Sequence, residues 1–394
     1  MIKKRINNKM TFVYAFLLFH SLFIYLDDGS GIGRVFQAFS TLILLSLLLP
    51  KLTMINLKRE KTLLFLVVTL CCAYLSSSYF NYQTKIVGDI SATSSQSLGV
   101  LFALRFICLY ILTKYIAIRK NAYLFLKYIY YIIVGYIILT DLALVFNFKL
   151  NPAEDYYLIG GKFNVSYLHI YGLLLYMLLY KDIYKSRKFS FFLIMFSFLV
   201  VCVSLFVECT TSITLLVIIL FMYVTKRRFF HYWRKASFAL LILFLSSTFF
   251  FIFTNFVLSQ DVADFLISIG KDPTFTGRTD LYEMILPLIP LCPFWGFGCG
   301  SAHAVVETLT GFPNTQNGLL EIYFENGILG VLATICIIYI VISDLKKNKY
   351  TAYPLLIGVY AFIVISSIEI TLGQTFLGLC FFMRLGNEIN FKQV

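Results

Sequence analysis

The sequence predicts an all-α fold, a polytopic transmembrane helical bundle of about twelve spans. Three observations predict it. First, 59% of the 394 residues are apolar and only 13% are charged, against about 25% charged in ordinary soluble domains. So few polar side chains cannot cover a soluble surface, and no long polar stretch could form the ectodomain of a single-span receptor. Second, the apolar residues fall into twelve segments, and twelve spans of ~20 residues would use ~240 residues, close to the apolar share. Third, the basic residues alternate between loops. In a soluble chain the net charge of +13 would point to nucleic acid; here it reads as a topology signal, and no nucleic-acid partner is expected.

The segments run 11–26, 35–50, 62–80, 98–118, 123–146, 166–180, 189–207, 212–224, 236–258, 318–342, 351–371 and 373–389. Lys3, Lys4 and Arg5 precede the first, but no small-residue cleavage site follows, so it reads as a span and not as a signal peptide. The N-terminus and loops 51–61, 119–120, 181–188, 225–235 and 343–349 carry 22 Lys and Arg. The opposite loops carry Arg34, Lys85, Lys149, Lys162, Lys271 and Arg278. The positive-inside rule then places both termini in the cytoplasm. The last segment is broken by Gly378, Arg384 and Gly386.

Residues 259–317 form one large outer loop, dividing the chain into spans one to nine (1–258), the loop (259–317) and spans ten to twelve (318–394). A loop this long in a compact protein is usually functional. It holds Pro273, Pro287, Pro290, Pro293 and Pro313, five of the eight prolines. Leu281, Met284, Ile285 and Leu288 follow helical spacing; Asp280 and Glu283 suit its start and Pro290 its stop. This helix is expected along the membrane surface, its apolar face toward lipid or the bundle. No repeat relates the halves, which weighs against the common transporter folds.

Most of the nine cysteines lie inside spans, as small apolar packers. Cys292 and Cys299 lie in the loop, and their pairing is left open. The four histidines are scattered and no metal-ligand spacing occurs, so neither a metal nor a cofactor is expected.

The polar candidates cluster on the outer side. Arg278 is either a bidentate phosphate clamp or a headgroup anchor. The turn Gly296-Phe297-Gly298-Cys299-Gly300 either holds an anion on its backbone N–H groups or simply reverses the chain. Glu321 and Glu325, four apart, share one helical face. Two acids entering an apolar span need a cavity or a partner, and Arg105 inside span four is the rival partner. Lys162 is a second candidate phosphate contact. Glu208 belongs either to the same cavity or to a solvated turn.

In order along the chain these elements are Thr276-Gly277-Arg278-Thr279, Pro293-Phe294-Trp295-Gly296-Phe297-Gly298, Gln316-Asn317-Gly318-Leu319-Leu320-Glu321 and Gly327-Ile328-Leu329-Gly330. The set resembles the bacterial O-antigen polymerase and O-antigen ligase superfamily. The motifs cover about 190–342, and the nine residues between Asn317 and Gly327 match the family's spacing. The resemblance implies a multi-pass inner-membrane protein with a large periplasmic loop. It implies a metal-independent glycosyltransferase acting on an undecaprenyl-pyrophosphate-linked oligosaccharide, with membrane lipids as surroundings and a chain-length regulator and a flippase as further partners left open.

By that resemblance Arg278 would stabilise the leaving pyrophosphate, helped by Arg105 or Lys162. Gln316, Asn317 and Glu321 would bind or orient the acceptor hydroxyl. Asp280, Glu325, Gly296, Gly298, Gly327 and Gly330 would complete the substrate site. Two departures matter. The family's loop histidine is Gln316, an amide that can hydrogen-bond a sugar but cannot act as a base near neutral pH, which leaves His303 as a loop histidine that could stand in. Ser212 is followed by Ile213, where many members carry arginine. Both fit an O-antigen or capsular polysaccharide polymerase better than a ligase to lipid A–core or protein. A lipid-linked sugar flippase is the alternative of another class.

Overall fold

The computed structural model describes residues 6–23, 32–55, 61–81, 84–87, 90–92, 96–150, 156–181, 186–252, 264, 268, 278–291, 294–300, 302–345 and 351–389. The helices are α1 (Asn8–Leu22), α2 (Ile32–Leu48), α3 (Lys61–Phe80), α4 (Gln96–Ile118), α5 (Ala122–Val145), α6 (Lys162–Tyr180), α7 (Ser186–Phe206), α8 (Thr210–Trp233) and α9 (Ala236–Ile252). The loop contributes α10 (Arg278–Ile285) and α11 (Ala302–Thr310), and the chain closes with α12 (Gly318–Ser343), α13 (Tyr353–Ile365) and α14 (Gln374–Gly386). Among the described residues, each of the twelve apolar segments therefore contains a helix.

Among the described residues seven helices are long and apolar enough to cross a membrane: α2 with the 3-10 turn Leu49–Met54 that extends it, α3, α4, α5, α6, α7 and α12. Helices α8, α9 and α13 contain shorter apolar stretches. The expected span over 351–371 narrows to Tyr353–Ile365. Beyond it, Ser366–Gly373 is irregular backbone. Side chains bond this backbone and the end of α13: Glu369 Oε1 accepts from Ile370 N at 3.1 Å, and Thr371 Oγ1 donates to Phe362 O at 2.7 Å. One departure from an all-helical reading is a small antiparallel hairpin between α3 and α4, β1 (Thr84–Val87) with β2 (Ile90–Ala92).

Local signals explain several ends. Asn7 caps α1 by accepting from Lys9 N at 3.0 Å, and Pro354 sits in the first turn of α13, where its missing N–H costs nothing. Helices α6 and α13 pack closely. Nearly every residue of α13 is buried, and a Cβ on Gly358 would lie 2.3 Å from Leu174 Cδ1, so these two helices approach as closely as glycine allows.

The loop has a small core of its own. Leu281, Tyr282 and Ile285 of α10, Leu288, Phe297, and Val305 and Val306 of α11 pack on Leu320 and Phe324 of α12. Burying each such side chain stabilises by roughly 1.5–3 kcal/mol, so the loop is docked on the first turns of α12.

Candidate active site

Helix α12 is broken. Gly327 has φ 62° and ψ −165° inside it, a conformation open essentially to glycine alone. The break frees carbonyls from the helical ladder, and two are taken up from outside: Phe324 O accepts from Phe297 N, and Glu325 O accepts from the Ser77 hydroxyl of α3.

The glycine-rich turn fills the break. A Cβ on Gly327 would lie 2.1 Å from Phe294 O, and one on Gly296 (φ 69°) would lie 2.4 Å from Phe324 O and 2.7 Å from Asn326 N. Backbone therefore docks on backbone in both directions. The Gly-x-Gly turn and the Gly-x-x-Gly element, separate in sequence, are two halves of one joint. Gly298 continues the turn at φ 106°. Gly330 serves the same joint, since a Cβ there would lie 2.4 Å from the Cβ of Asn326.

Around the joint the polar groups collect. The Glu325 carboxyl meets the Gly300 N–H and lies near Glu321. Cys299 is a free, buried thiol. Burial holds it well above the usual thiol range and the Glu325 charge adds to this, while a hydrogen bond with Ser78 and the Arg105 charge oppose it. Arg105 is only 2% exposed. Its guanidinium donates to Gln374 Oε1 at 3.0 Å and Gln37 Oε1 at 2.6 Å and stands 5.5 Å from the Phe102 ring. Three helices, α2, α4 and α14, thus hold this buried cation beside the joint.

The start of α12 is stapled. Asn317 is its N-cap, accepting from Leu319 N and Leu320 N at 3.1 and 3.2 Å, while its Nδ2 donates to Ser247 O of α9 at 2.9 Å. Both ends of this amide are thus used inside the protein. Glu321 Oε2 lies 2.8 Å from Thr315 Oγ1 and accepts from Thr315 N at 3.2 Å, so this carboxylate closes the turn ahead of the helix. Gln316 has φ 51° and is half-buried. Its carbonyl accepts from the Tyr282 hydroxyl at 3.1 Å, which ties α10 to the end of the loop.

The remaining sequence candidates spread out. Arg278 opens α10 and His303 is the second residue of α11, but both side chains lie outside the described residues, as does Cys292. Asp280 is exposed in the first turn of α10. Lys162 is exposed at the start of α6, its Nζ 5.8 Å from the Phe163 ring. Glu208, at φ 54°, is an exposed residue of the α7–α8 turn, the solvated-turn reading. Among the described residues no group of three His, Cys, Asp or Glu is placed to hold a metal.

Sequence reasoning missed Ser77, Ser78, Gln37, Gln374, Tyr282 and Thr315. Gln37 and Gln374 were findable as amides inside apolar segments. Thr315 and Tyr282 act through tertiary contacts that no local pattern announces.

Fold and site together define a polytopic membrane protein whose polar chemistry gathers where a long loop docks on one broken helix. Residues 209–335, about a third of the chain, match the family model Wzy_C, O-antigen ligase. The match is consistent with the O-antigen polymerase and ligase superfamily, whose Wzy_C members are glycosyltransferase-like enzymes. It begins at the turn before α8 and runs through α9, the loop and the Gly327 break. No curated protein and no solved structure matches the chain.

Proposed function

We propose that this protein is a surface polysaccharide polymerase of the bacterial inner membrane. It would transfer a growing glycan from undecaprenyl pyrophosphate to a hydroxyl of a single lipid-linked repeat unit. The observation that carries this reading is the coincidence of the O-antigen ligase family match with the joint of loop and broken helix, where Glu321, Glu325, Gln316 and the helix begun by Arg278 converge.

In the reaction an acceptor oxygen attacks the donor anomeric carbon. The bond from that carbon to the pyrophosphate oxygen breaks, and the lipid pyrophosphate leaves with the electron pair. Fixed cations favour that developing charge in the transition state. Arg278 takes this role, with Arg105 as the buried second cation and Lys162, exposed at the start of α6, as a further cation. Glu325, partly exposed and beside the glycine turn, receives the acceptor hydroxyl proton, and Gln316 hydrogen-bonds the acceptor sugar. Asn317 and Glu321 are positioning residues, since their side chains fix the start of α12. Because the diphosphate is a good leaving group, holding donor and acceptor together supplies much of the acceleration. The polymerase reading is preferred to the ligase reading because Gln316 occupies the position of the family's loop histidine and cannot act as a base.

The test is complementation of a polymerase-null strain. Arg278→Ala at normal protein level should reduce the polysaccharide ladder to single repeat units. Full-length ladders from that variant would overturn the assignment.

A further inference from the structure

From Met284 to Ala302 the outer loop carries no charged side chain. Its inward residues Ile285, Leu288 and Phe297 are consumed by the loop's own core. The others point away from it: Met284, Leu286, Leu291 (57% exposed), Phe294 (64%) and Trp295 (36%). In water such a ledge would be a large exposed apolar patch of the kind soluble surfaces avoid.

The ledge does not end at the loop. The Trp295 ring lies 5.1 Å from that of Phe80, the last residue of α3. The backbone of Phe294 and Trp295 rests on Gly327, and the next residue of α12, Ile328, is itself exposed. Tyr79 and Phe80 on α3, and Ile328 and Leu332 on α12, are exposed residues of two helices apolar and long enough to cross a membrane. The ledge is therefore continuous with exposed apolar side chains of two helices of membrane-spanning length. Trp and Tyr at its rim are the residues that favour the membrane–water interface, and the charged residues Asp280 and Glu283 precede it on α10.

We infer that Met284–Leu291 together with Phe294 and Trp295 form a monotopic wedge, seated in the lipid leaflet on the loop side of the membrane. Its occupant is the upper acyl region of that leaflet's lipids. The wedge sets the depth of the Gly327 joint, holding it at the lipid–water boundary. This inference does not depend on the proposed reaction.

Trp295 is a built-in probe, because the chain has only two tryptophans and Trp233 is buried against Tyr353. The full-length protein is reconstituted into phosphatidylcholine vesicles whose acyl chains are brominated near the glycerol or near the chain end. Emission of Trp233→Phe reports Trp295 directly. The difference between wild type and Trp295→Phe reports it a second way, should Trp233→Phe not fold. An interfacial apolar face sits about 5–10 Å into the headgroup–acyl boundary. Bromines near the glycerol should therefore remove at least about half of the Trp295 emission, bromines near the chain end should remove less, and aqueous iodide should remove little. Quenching by iodide with none by either brominated lipid would overturn the inference, as would insensitivity to all three quenchers together with disulfide-linked dimers from Phe294→Cys, which would mean a second copy covers the ledge.

Discussion

Replacing Gly327 by alanine tests the joint. Any β-carbon forces the residue to hold φ 62° and ψ −165°, which costs about 1–3 kcal/mol for a non-glycine residue. The new atom would also lie 2.1 Å from Phe294 O and 2.6 Å from Trp295 N, both backbone atoms that cannot rotate away. The turn must lift, and the bonds from Phe297 N to Phe324 O and from Ser77 to Glu325 O are lost or weakened, at about 0.5–1.5 kcal/mol each. Together the loss is about 2–6 kcal/mol.

Gly311 is the control, with φ 74° and nothing within 4 Å of the place a Cβ would take. Alanine there meets only the conformational cost, about 1–2 kcal/mol. The assay is thermal unfolding of the purified proteins in one detergent, followed by intrinsic fluorescence. Gly327→Ala should lower the midpoint about two to three times as far as Gly311→Ala, the ratio of the middles of those two ranges. Equal midpoints would refute the docked joint.

Three further outcomes follow from the same contacts. Asn317→Ala should cost about 1–3 kcal/mol, because the helix loses its cap and the Ser247 carbonyl loses a buried donor; unfolding midpoints in detergent check this, and an unchanged midpoint would return Asn317 to a purely substrate-facing role. Arg105→Ala should leave two buried glutamine acceptors without their donor and lower folded yield, by about 1–3 kcal/mol for each; size-exclusion profiles against Arg105→Lys, which keeps the charge but not the two-pronged reach, separate charge from geometry. With Cys299 as the sole cysteine, alkylation should be negligible on the folded protein near pH 8 and complete on unfolding. A thiol whose pKa is raised holds less thiolate at any given pH, so its reactivity should appear only above the ordinary thiol range; rapid labelling of folded protein would contradict the burial.

Much of the architecture was legible because its physics is local. Apolar segments of span length become helices wherever lipid or bundle leaves backbone no other partner, and among the described residues each of the twelve contains one. Their lengths were less legible. Helix α13 ends at Ile365 although Ile368, Ile370 and Leu372 continue the apolar run, because the chain there turns to meet the start of α12, where Gly318 N donates to Ser366 O at 2.8 Å. The glycine motifs showed as motifs, but nothing in either predicts that Gly296 and Gly327 face each other, since that contact is made between backbones distant in sequence. Likewise Glu321 and Glu325 read as a pair entering a span. The structure divides them, giving Glu321 to Thr315 and leaving Glu325 beside the turn.

The proposed reaction is tested most directly by the glycan that accumulates when this protein is absent. Lipid extracts and surface glycan from a deletion strain would be compared with those of the complemented strain. A polymerase predicts single repeat units still transferred to their final acceptor, with no longer chains. Long polymer persisting on the carrier lipid would contradict the polymerase assignment in favour of ligation, and repeat units confined to the cytoplasmic side would contradict it in favour of export.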